Sequence, residues 1–254
     1  MTMAGVSNRI ELYWMPGCSA CLRAKEFLEA SGLSYHAVNV DEETEVLERF
    51  RREDIQIPAV CVGDKCVNAV HLGTIAEFLG IDYTAPEMLS PATLAERYRL
   101  INQALRRYAG QMTADTYTLT LPNRSRLALE LAAHAATLMR YFVAKYYDDS
   151  AAVDFISVQP ACASADDVIQ AAAETLEMFD RWWERDGFDD PFDGILSTYW
   201  GHRTMHEALE REVWHTAQHT RQIIYVLETA GITPERPLGA AELAGLPLPE
   251  RVHE

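Results

Sequence analysis

From Arg9 to Gly80 the spacing of apolar residues keeps changing its period. "RIELYWM" and "SYHAVNV" alternate or are rich in β-formers, which suits half-buried strands, whereas the apolar positions of "SACLRAKEFLEASG" recur at helical spacing. "PAVCVGDKCVNAV" reads as two short strands around a Gly-Asp turn, and "TIAEFLG" as a closing helix. The order β, α, β, α, β, β, α predicts an α/β domain with a small mixed sheet over residues 1–82. Beyond Ile81 the strand pattern stops. "DYTAPEMLSPAT", with its two prolines, predicts a linker at 83–92, and long helical periods follow near 93–112, 122–147, 165–186 and 203–230. Four such helices predict an all-α four-helix bundle within 93–254. "DDSAAVDFISVQPACAS" and "GFDDPFDGILSTYWG" read as loops between them, and "GITPERPLGAAELAGLPLPERVHE" as an extended cover over the bundle.

Composition narrows the partners. The 38 acidic and 22 basic residues leave a net charge of −16, which repels phosphate backbones and anionic membrane surfaces, so neither nucleic acid nor a membrane is an expected partner. The amino-terminal "MTMAGVSNRIELYW" lacks the basic flank and apolar run of a secretory signal, and no apolar run approaches the roughly 20 residues of a membrane span, so the expected location is cytoplasmic. Five cysteines, an odd number, then argue against a structural disulfide framework and for redox or metal chemistry at any close pair.

Cys18 and Cys21 form such a pair where a strand meets a helix. At the helix N-terminus unpaired amides and the macrodipole stabilise a thiolate, so Cys18 is the expected nucleophile and Cys21, one turn on, the resolving thiol. A lone CxxC can also be half of a zinc site, but no second one follows at finger spacing. Cys61 and Cys66 read as small buried strand residues, and Cys162 is assigned no role. "YWMPGCSACLRAKEFLEASGLSYHAVNVDEE" followed by "IQIPAVCVGDKCV" resembles the glutaredoxin family over residues 9–80. The resemblance implies a thioredoxin-like fold, thiol-disulfide oxidoreductase activity and glutathione or a similar low-molecular-weight thiol as cosubstrate. It also implies a cis Pro58 which, with the backbone of Ile57, faces Cys18 and holds the thiol. Between the cysteines the family's usual Pro-Tyr is Ser-Ala here, and its glycine pair with a following acidic residue is replaced by "NAVHLGT".

In the last helical stretch, "EVWHTAQHTRQ", His215 and His219 lie one turn apart at the margin of the apolar face. Side chains at i and i+4 can share one ion, and His134, on the apolar face of "RLALELAAHAATLMRYFV", offers a third imidazole while leaving a coordination position open. The bland alternative is three hydrogen-bonded core histidines. A rival pair, His202 and His206, sits at the start of the same helix. "AAHAATLMRYF" and "WHTAQHTRQIIYVLETAGI" resemble the DinB superfamily of metal-binding four-helix bundles over residues 93–232. That likeness implies His134, His215 and His219 as ligands of a divalent metal such as zinc or nickel, or iron, and thiol S-transfer to, or isomerisation of, a small electrophile. Bundles of this kind often pair, which makes a homodimer an expected partner. Two other readings stay open: a redox-linked metal or ligand sensor without turnover, and a dimerisation scaffold beside a redox domain.

Overall fold

The computed structural model describes residues 9–149 and 162–253. The chain divides into two units: residues up to Glu87 together with the segment from Pro249, and Met88–Leu248.

The first unit runs β1 (Ile10–Trp14), α1 (Ser19–Ala30), β2 (Tyr35–Asn39), a 3-10 turn (Val40–Glu42), α2 (Thr44–Arg52), β3 (Ala59–Val62), β4 (Lys65–Asn68) and α3 (Leu72–Leu79). Its sheet has the order β2-β1-β3-β4, with β1 parallel to β2 and antiparallel to β3, and β4 antiparallel to β3. This is a thioredoxin-like arrangement. Strand alternation sends successive side chains to opposite faces. Leu12 and Val60 pack with Ala24, Leu28 and Ile75 on one side, while Tyr13, Ala59 and Cys61 pack with Phe50 on the other. Covering both faces is what allows β1 to stay at the centre of the sheet. Each fully buried side chain of leucine size contributes about 1.5–3 kcal/mol. The antiparallel pairing Tyr13↔Ala59 also has a topological effect: the chain leaving β1 and the chain entering β3 emerge at the same end of the sheet.

In the second unit Ser90 accepts a hydrogen bond from the Thr93 amide at 3.2 Å and Pro91 occupies the first turn, which starts α4 (Pro91–Ala109). There follow α5 (Ala114–Tyr117), α6 (Ala128–Tyr147), α7 (Ala165–Trp182) with a π-helical turn at Trp183–Gly187, strands β5 (Ile195–Thr198) and β6 (Gly201–Thr204), α8 (Met205–Thr229) and α9 (Ala240–Leu243). The four long helices close a ring in which α4 packs on α7 and α8, and α6 packs on the same two. Alanines at 128, 132, 133, 135 and 136 let the neighbours of α6 approach closely around its N-terminal half.

Two details, the hairpin and the tail, differ from the sequence expectation. Ile195–Thr204, read as loop, is an antiparallel hairpin with Leu196 opposite Arg203 and Ser197 opposite His202. Its turn closes by a 2.7 Å bond from the Thr198 hydroxyl to the Gly201 carbonyl, and buried Leu196 and Trp200 anchor it. The linker contains the division between the units at Glu87 and Met88. The tail divides at Leu248 and Pro249: its last segment joins the first unit, where the Glu26 carboxylate accepts from the Glu250 and Arg251 amides at 2.8 and 2.9 Å. Residues 150–161, most of the first expected interhelical loop, and residues 1–8, which carry most of the amino-terminal stretch, lie outside the described residues. Among the described residues no helix is long and apolar enough to cross a membrane.

Candidate functional site

Cys18 is the N-cap of α1, with its Sγ 3.1 Å from the Cys21 amide that donates to it. The two cysteines are joined in a disulfide, so the oxidised form of the pair is on view. Cys21 is fully buried, whereas Cys18 is partly exposed, which separates an accessible sulfur from a sheltered one. The Ile57–Pro58 peptide is cis. Pro58 is buried immediately before β3, and Ile57 packs with Met15 on the cluster around Tyr13 and Phe50. The residues after β1 and those before β3 thus share one end of the sheet.

The second constellation lies in the helical unit. Packing of α6 on α8 brings the rings of His134, His215 and His219 to centroid separations of 5.6 Å (134 to 215), 5.2 Å (134 to 219) and 4.6 Å (215 to 219). One nitrogen from each lies within 4.8 Å of the others. His202 and His206 do not join this cluster: His202 Nδ1 is 3.5 Å from the Ser197 hydroxyl, and His206 Nε2 donates to the Leu89 carbonyl at 2.7 Å.

Protonation state and hydrogen bonding leave the cluster with lone pairs to offer a cation. Burial, with the guanidiniums of Arg126, Arg124 and Arg211 as smaller causes, pushes His134 down to about 3. Burial likewise holds His215 and His219 well below the ordinary histidine value, so all three rings are neutral donors at neutral pH. His219 Nδ1 lies 2.7 Å from Gln222 Oε1, which also accepts from Arg124 at 3.2 Å. An amide oxygen facing two donors leaves the proton on Nδ1, and the lone pair on Nε2, a buried atom without a hydrogen-bond partner. His215 Nδ1 is also without one, 3.8 Å from Glu212 Oε2. Buried polar atoms are ordinarily paired, and two unpaired imidazole nitrogens within a cluster of three histidines make it a candidate donor set for a divalent metal.

Sequence reasoning missed the polar residues that extend this row. Arg211 and Glu212 are buried, at 5% and 2% exposure, and Tyr199, from the turn of the β5–β6 hairpin, meets Arg211 through a 2.9 Å bond. Burial pushes the Glu212 carboxyl up to about 7, with Arg211 opposing. The spacing carried a signal, since Arg211, His215 and His219 repeat every fourth residue and so share one helix face. The reading of Cys61 and Cys66 as unremarkable strand residues, and of disulfides as absent from the framework, needs correction. The two are opposite one another across β3 and β4, Cα atoms 4.1 Å apart, and bonded through sulfur. A two-residue Gly63-Asp64 turn forces this register, so the pairing follows from the hairpin. Cys162 is a free, partly buried thiol whose pKa burial raises.

Comparison with known proteins places a limit on what is shared. No curated protein matches the chain. A crystal structure of a glutathione S-transferase from the Antarctic clam Laternula elliptica is similar at 14% identity over 94% of this chain and 99% of its own, with a TM-score of 0.28, a likeness too slight to support an argument. Residues 10–67 match the glutaredoxin family model, and the first unit accordingly carries a glutaredoxin-type domain with its cysteine pair at the start of α1.

Proposed function

We propose that the protein is a thiol-dependent enzyme in which the glutaredoxin-type domain reduces disulfides and the helical unit, a DinB-type metal-binding bundle, activates a low-molecular-weight thiol such as glutathione. In the first step the Cys18 thiolate attacks one sulfur of a substrate disulfide and the other sulfur leaves as a thiolate. Cys21 then attacks Cys18, the second substrate sulfur leaves, and two electrons have passed to the substrate as the Cys18–Cys21 disulfide forms. Ile57 and Pro58 are assigned to holding the thiol beside Cys18.

In the helical unit His134, His215 and His219 would hold the metal, with zinc, nickel or iron as candidates. A divalent ion bound by three neutral imidazoles keeps its positive charge and so lowers the pKa of a thiol brought to it. The chain's own contribution is orientation: Gln222 fixes the His219 tautomer, and Glu212 lies beside His215. The reaction assigned to this unit is S-transfer to, or isomerisation of, a small electrophile. The observation that supports the reading most directly is the meeting of three neutral imidazoles from two helices.

The test is elemental analysis of purified full-length protein together with thiol-dependent turnover of an electrophile panel. One metal per chain, turnover that needs both metal and thiol, and loss of both properties in His134→Ala are expected. Bound metal without turnover would support the sensor reading instead, which the deep burial of His219, at 1% exposure, favours. Absence of metal would leave only the cysteine chemistry.

A further inference from the structure

One feature near the histidines has no role in metal holding. Arg211 is 5% exposed, and its Nε and Nη1 have no hydrogen-bond partner. Its Nη2 donates to the Tyr199 hydroxyl at 2.9 Å, and its guanidinium carbon lies 4.5 Å from the Trp214 ring centroid. The stack on Trp214 occupies a face and leaves donors at the edge of the group. Burying a cation with donors unpaired is costly, so such a group ordinarily has a counterion. Glu212 attracts Arg211 but does not fill those donors: its own Oε2 is without a hydrogen-bond partner as well.

The surroundings add to the imbalance. Arg211 stands one helical turn before His215, and Arg124 and Arg126 also act on the histidine cluster, in a chain whose net charge is −16. A divalent ion on the histidines would make the local excess of positive charge larger. The missing component is an anion, and a carboxylate matches the planar fork of a guanidinium.

We infer that Arg211, with Tyr199 at its side, is a binding subsite for a carboxylate carried by the ligand that reaches the three histidines. This deepens the proposed function and rests on it for the identity of the neighbouring site. The carboxylate belongs either to the thiol cosubstrate or to the electrophile, and both are acids of the same recognising chemistry. Tyr199, 36% exposed, is the more accessible of the two, while the buried Arg211 supplies the charge.

Isothermal titration of the full-length protein, with zinc and without, tests this using two acid and ester pairs. Glutathione against its diethyl ester represents the thiol, and succinate against its dimethyl ester represents an electrophile-like acid. At least one acid is expected to bind tenfold or more tightly than its ester, and the pair showing the preference identifies the source. Arg211→Gln should erase that preference while zinc stoichiometry stays at the wild-type value, and Arg211→Lys should keep part of it. Tyr199→Phe, a change at a half-exposed residue that removes one hydroxyl, should weaken acid binding severalfold and leave ester binding alone. The inference fails if neither acid outbinds its ester in the wild-type protein, or if the preference survives unchanged in Arg211→Gln. Should Arg211→Gln not fold, an undiminished preference in Tyr199→Phe overturns it. Because the comparison is also run without zinc, failure to bind metal would sink the proposed function while leaving the arginine to be judged separately.

Discussion

At the level of single residues, the place of Cys18 at the start of a helix was readable from the sequence because it depends on a local feature, the first helical turn. Arg211 and Glu212 were not, because a charged residue on a helix ordinarily faces water and only the packed ring of helices buries them. Two expectations follow. Cys18→Ser should abolish reduction of a small mixed disulfide, whereas Cys21→Ser should retain a measurable fraction, since attack needs only the first thiol; steady-state reduction assays decide it. Glu212 makes a pH prediction. Its folded carboxyl holds a proton up to about 7 against 4.5 when unperturbed, so its stabilising contribution is complete below 4.5 and lost as pH rises through about 7. The histidines act oppositely: held below the ordinary 6.5, they contribute fully above that value and lose it as pH falls, for His134 towards about 3. In metal-free protein, Glu212→Gln should therefore raise the thermal midpoint relative to wild type at pH 8 and change it little at pH 4. An equal difference at both pH values would show that the carboxyl does not titrate as described.

Among elements, the long helices were legible because their apolar period extends over many turns, and the histidines were placed on inward faces by the same period. The hairpin at Ile195–Thr204 was not, since four-residue strands in a Gly- and Asp-rich stretch give too little alternation to distinguish from loop. Its second strand runs directly into α8, whose start is fixed by a capping box in which Thr204 Oγ1 accepts from the Glu207 amide at 3.1 Å and Glu207 Oε2 accepts from the Thr204 amide at 2.9 Å. Thr204→Ala should cost about 1 kcal/mol, read as a lower urea midpoint with unchanged slope. Because Arg211 lies two turns inside this helix, amide exchange in the variant should rise at residues 205–208 and stay slow at His215.

For the molecule as a whole, the division into an α/β unit and a helical unit was visible as a change of rhythm near Ile81, yet the return of the chain to the first unit after Leu248 was not. Nothing local in "PERVHE" announces a partner two hundred residues earlier; Glu26 can be identified only in three dimensions. Two units with separate cores should give two separable unfolding events. Calorimetry of zinc-loaded and chelator-treated protein should shift the helical event alone, by about 2.7 kcal/mol when zinc stands at a hundred times its dissociation constant. His219→Ala should abolish the shift.

The bond between Glu26 and the amides of Glu250 and Arg251 also sets an order of events during biosynthesis. A ribosome adds residues 249–253 only after the second unit has been synthesised, so the glutaredoxin-type domain cannot complete its contacts before then. A nascent chain arrested at Leu248 should leave the Glu26 carboxylate exposed to water, and a stable mature domain should be distinguishable from that arrested form by its resistance to protease around α1.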